Sequence, residues 1–68
     1  MDVKIIAKSR QRDGTQHLEA TAPAETPVDD VVTALIKKLG MHPDCEGWGE
    51  VKYDSSASTW IYQISIEP

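Results

Sequence analysis

The sequence contains one cysteine, Cys45, so no internal disulfide can form. A secreted domain of this size is usually stapled by disulfides, and the lone thiol points instead to a reducing, cytoplasmic setting. No apolar run approaches the ~18 residues of a membrane span. The stretch after Met1 lacks the charged and apolar regions of a signal peptide. Basic residues are scarce: seven Lys and Arg stand against eleven Asp and Glu, for a net charge of −4. That balance disfavours direct nucleic-acid binding, because phosphate contacts need a basic field. Repeats, linkers and low-complexity tracts are absent, so residues 1–68 read as one domain. Roughly 60% of the unfolded chain's surface can be buried at this length. Substrate pockets usually span about 300–1,000 Å³. The room left beside a thin core therefore weighs against an enzyme, and no cofactor is expected.

The charge that is present is segregated. Lys4, Lys8, Arg10 and Arg12 face only Asp2 in the first twelve residues, whereas residues 13–36 hold five acids and neither Lys nor Arg. Lys37 and Lys38 follow, and residues 39–68 set Asp44, Glu46, Glu50, Asp54 and Glu67 against Lys52.

Pattern predicts four strands and one helix. Val28, Val31, Val32, Leu35, Ile36 and Leu39 follow helical spacing and make one apolar face over residues 27–39. Thr26 suits the N-cap and Pro27 the first helical position, with Asp29 three residues on as an acidic capping box. Asp29 and Asp30 suit the positive helix start, Lys37 and Lys38 the negative end, and Gly40 the left-handed residue that stops it.

Strands are expected near residues 2–9, 16–22, 49–54 and 59–67. Asp13-Gly14 signals a two-residue hairpin loop that pairs Arg12 with Thr15. Counting back sets Ser9 opposite Leu18, Ala7 opposite Ala20 and Ile5 opposite Ala22. Residues 55–58 form the second loop, which sets Asp54 opposite Thr59, Tyr53 opposite Trp60 and Val51 opposite Tyr62. One face of that hairpin then collects Val51, Tyr53, Trp60, Tyr62, Ile64 and Ile66, and these aromatics read as core.

The chain is thus an α+β domain of ββαββ order, a four-stranded sheet with one helix packed on one face. This order resembles the β-grasp architecture, particularly the immunoglobulin-binding domains of streptococcal protein G and more loosely ubiquitin, over nearly the whole chain. The resemblance implies strand order 2-1-4-3, with strands 1 and 4 parallel at the centre. The ubiquitin-type Gly-Gly terminus is replaced by Ile66-Glu67-Pro68, which leaves conjugation chemistry unsupported.

Candidate sites divide three ways. Met41 to Gly49 gathers a thiol, an imidazole, two carboxylates and an indole. His42-x-x-Cys45 offers two metal ligands, but a structural zinc site takes four, and His17 is distant in sequence. A Cys45–His42 nucleophile pair needs a lowered thiol pKa and an orienting group; Cys45 as a small apolar filler needs neither. Trp48 reads as a core cap or as an interface anchor.

The acids make the third pattern. With strand 3 at a sheet edge, Glu50 and Asp54 point outward, Asp44 and Glu46 precede them, and Asp29 and Asp30 approach from the helix start. Together they form an acidic rim for partner binding, or a solubilising face. The leading expectation is a non-catalytic interaction protein. It acts as an acidic inhibitor of a partner with a basic, nucleic-acid-binding surface, and in size and charge it resembles phage-encoded inhibitors of the anti-CRISPR type. The rivals are a thiol or metal function at His42 and Cys45, and a structural subunit that adds its edge strand to an assembly.

Overall fold

Alternation and one amphipathic stretch become β1 (Lys4–Arg10), β2 (Gln16–Thr21), α1 (Val28–Lys38), β3 (Glu46–Asp54) and β4 (Thr59–Glu67) in a computed structural model that describes residues 2–23 and 25–68. The ββαββ order and the α+β class stand. The strand order is β1-β2-β4-β3 and every pairing is antiparallel.

This corrects the 2-1-4-3 order that the β-grasp resemblance implied. β4 runs beside β2, with Leu18 opposite Ile64 and Ala20 opposite Tyr62, and not parallel to β1. The physical reason is in β2. Leu18 and Ala20 give it an inward row that matches Ile64 and Tyr62, and both are buried. β1 carries Lys8 and Arg10 in the row beyond Ile5, and these belong at an edge.

The second hairpin has the register read from the sequence: Asp54 faces Thr59, Tyr53 faces Trp60 and Val51 faces Tyr62. The first hairpin does not. Gly14 N–H donates to Gln11 O at 3.1 Å, Gln11 N–H donates to Thr15 O at 2.8 Å, and Gly14 takes φ 92°. The loop is therefore Arg12-Asp13-Gly14, a turn followed by a left-handed glycine, where a two-residue loop was expected. Ser9 consequently faces His17 and Lys8 faces Leu18, one residue out from the expected pairing. A bulge between Ile5 and Ala7 resets the alternation, so Val3 still reaches the core and Ile5 packs against it.

The helix buries Val31, Val32, Leu35 and Ile36 against β3 and β4. Each such side chain contributes about 1.5–3 kcal/mol by leaving water. Pro27, at φ −60° and ψ 144°, is the N-cap, and Thr26 does not cap: its hydroxyl donates to Pro23 O at 2.6 Å. The expected capping box is thus replaced by an anchor from the sheet, Tyr62 O–H to Thr26 O at 2.7 Å. The C-terminus ends as expected. Gly40, at φ 69°, donates to Lys37 O, and Met41 N–H reaches back to Ile36 O.

β3 begins three residues earlier than predicted, at Glu46, because Gly47 and Gly49 are strand residues and not loop hinges. A Cβ on Gly47 would collide with Val32 Cγ1, and one on Gly49 with Gln63 O and, at 2.7 Å, with Ile64 Cδ1. These two glycines let the helix and β4 close onto the edge strand.

Candidate functional site

One helix covers one face of the sheet, and strand alternation decides what the other face presents. Along β3, Gly47, Gly49, Val51 and Tyr53 lie on the helix side, while Glu46, Trp48, Glu50, Lys52 and Asp54 lie on the open side. Their neighbours across β4, β2 and β1 form cross-strand rows. Trp48, Ser65, His17 and Ser9 make one, and Glu50, Gln63, Glu19 and Ala7 make the next. These rows line an open trough of about 670 Å³.

Trp48 stands 50% exposed at the β3 side of the trough. The indole is therefore exposed and does not cap the core. On the trough floor His17 Nδ1 and Ser65 Oγ are hydrogen-bonded at 2.9 Å. His17 Nε2 is buried with no hydrogen-bond partner among the described residues.

Carboxylates dominate the open face: Glu19, Glu46, Glu50, Asp54 and Glu67, with Lys4 and Lys52 as the cations. Glu50 and Lys52 pair at 3.4 Å. Glu46 lies directly opposite Glu67, a like-charged pair that costs the free protein stability. Asp54 is engaged locally. Its Oδ1 accepts from Ser56 Oγ at 2.7 Å and from the N–H groups of Ser56 and Ala57. The Ser56 hydroxyl, followed by those amides, holds the Asp54 carboxyl below its ordinary pKa.

The sequence-predicted acids are thus divided between layers. Glu46, Trp48, Glu50 and Asp54 share the open side of β3. Asp29 and Asp30 belong to the first helical turn, in the layer that packs on the opposite face. Asp44 lies in the connection before β3, where its N–H donates to His42 Nδ1 at 3.1 Å. Cys45 packs against the hydrophobic core, and its N–H donates to His42 O at 3.0 Å. Among the described residues no group of three or more His, Cys, Asp or Glu is placed to hold a metal ion. Among the same residues no helix is long and apolar enough to cross a membrane.

Two expected core aromatics are exposed. Tyr53 (53%) and Trp60 (44%) lie on the helix side, but α1 leaves them uncovered, and their rings meet edge to face at 5.0 Å. A hollow of about 370 Å³ lies between Glu25 and Thr26 on one side and Val51, Trp60 and Tyr62 on the other.

His17, Ser65, Gln63 and Glu19 escaped the sequence reading as site residues. The signal was available: a ββαββ chain has one helix for two faces, so the polar side of each hairpin must face outward together. No protein-family model, curated protein or solved structure matches the chain.

Proposed function

We propose that this is a non-catalytic protein-binding domain that engages a basic partner surface with the open face of its sheet. The observation that carries the reading is the half-exposed Trp48 beside a trough lined by Glu19 and Glu50, on an uncovered face where carboxylates outnumber cations. Aromatic anchors of this kind dominate binding energy at interfaces. The surrounding negative charge selects a cationic partner and speeds its association. The Glu46–Glu67 pair supports the same reading, because a cation from a partner relieves a repulsion that the free protein carries. Antagonism is the form of action that follows: a carboxylate-rich face laid on a basic, nucleic-acid-binding surface occupies the place of phosphates.

The face predicts which substitutions matter. In affinity capture from cells of the source organism, Trp48→Ala and Glu50→Lys lose the specific partner, whereas Asp29→Asn with Asp30→Asn retains it. Retention by both face variants, with each shown to be folded by circular dichroism, would overturn the assignment. Loss by the helix variant alone moves the interface to the other layer.

A further inference from the structure

The two edges of the sheet are built differently. β1 is interrupted by the bulge between Ile5 and Ala7 and carries Lys4, Lys8 and Arg10. Bulges and cations are the usual protection of a free edge. β3 has neither bulge nor proline. It pairs with β4 in unbroken register from Glu46 to Asp54, carries one cation, Lys52, and among the described residues no strand pairs with its outer side. Beside that regular edge lie Val51 (39% exposed), Tyr53 and Trp60, the apolar patch that the helix leaves bare.

We propose that the occupant of this edge is a second copy of the chain, with β3 paired antiparallel to β3 about a two-fold axis at Val51. Charge order and the exposed Val51 together select this register. An axis at Glu50 sets Glu50 against itself, and an axis at Lys52 sets Lys52 against itself. Like charges directly opposite are destabilising. An axis at Val51 places each Glu50 opposite Lys52 of the other copy. It sets Val51 against Val51 and joins the bare apolar patches of the two copies across the seam. Axes at Gly49 and Tyr53 also avoid like charges, but they set Val51 opposite Gly47 or opposite Ser55 beyond the strand, so only the axis at Val51 brings the two exposed valines together. The two sheets join into one, and their open faces become continuous. The pairing shares Glu50 and Lys52 with the open face, and sedimentation of the chain alone reads it without any other partner present.

Sedimentation velocity from micromolar to near-millimolar concentration tests this directly. The wild-type chain sediments as a reversible dimer. Lys52→Glu, and separately Glu50→Lys, weaken dimerisation by about tenfold or more, because each converts two attractive cross-strand pairs into repulsive ones. Combining Glu50→Lys with Lys52→Glu restores it. Both positions are exposed on the open face, and circular dichroism of each variant confirms the fold. A monomer throughout the range overturns the proposal, as does a dimer indifferent to the single variants or not recovered by the exchange.

Discussion

Glu46 and Glu67 face each other across β3 and β4 on the uncovered side of the sheet, at the end of the strand that carries Trp48. A fold selected for stability alone would place opposite charges there. Glu46→Gln is therefore expected to raise the stability of the free protein by about 0.2–1 kcal/mol and to slow association with a basic partner. Urea melts and binding kinetics at two ionic strengths check both halves. A variant that gains no stability, or that binds unchanged, counts against a functional role for the pair. Charge at individual positions was legible in the sequence, but partnership was not. Asp54 read as a free rim acid, yet its oxygen closes the β3–β4 turn through Ser56 and Ala57. Trp48 read equally as core or interface, because periodicity breaks at the glycines that flank it.

Those glycines decide the packing of the elements. Gly47 faces Val32, and a methyl group there would overlap Val32 Cγ1. Gly47→Ala is expected to cost about 1–3 kcal/mol, and much of that loss returns in the double variant with Val32→Ala, since the two changes act on one contact. Gly49→Ala meets the backbone oxygen of Gln63 instead, and shortening Val32 gives it no relief. Chemical denaturation of the four variants distinguishes the cases. Equal rescue of both glycine variants would show that the helix is not what the missing Cβ accommodates. The same elements show why one hairpin was legible and the other was not. In the second, aromatic and β-branched residues alternate on both strands, so only one register puts them on one face. In the first, few large apolar residues anchor the inward row, and the Asp13-Gly14 pair suits either a two-residue loop or the end of a three-residue one. The bulge at Ile5–Ala7 then repairs the alternation, and no local pattern announces it.

At the scale of the whole molecule, the sequence carried the α+β class, the ββαββ order and the side of the helix that packs. It did not carry the strand order, because hairpin patterns fix neighbours within a hairpin and leave open how two hairpins join. The join through β2 and β4 is what puts β1 and β3 at the edges and opens the second face of the sheet. The two tryptophans report on the two sides of the sheet: Trp48 on the open face, Trp60 on the helix side. Heteronuclear NMR resolves their indole N–H groups as separate resonances. When the captured partner is added at fixed protein concentration, the Trp48 indole is predicted to shift or broaden while the Trp60 indole stays in place. Movement of the Trp60 resonance with Trp48 unchanged would contradict the assignment of the open sheet face as the binding surface.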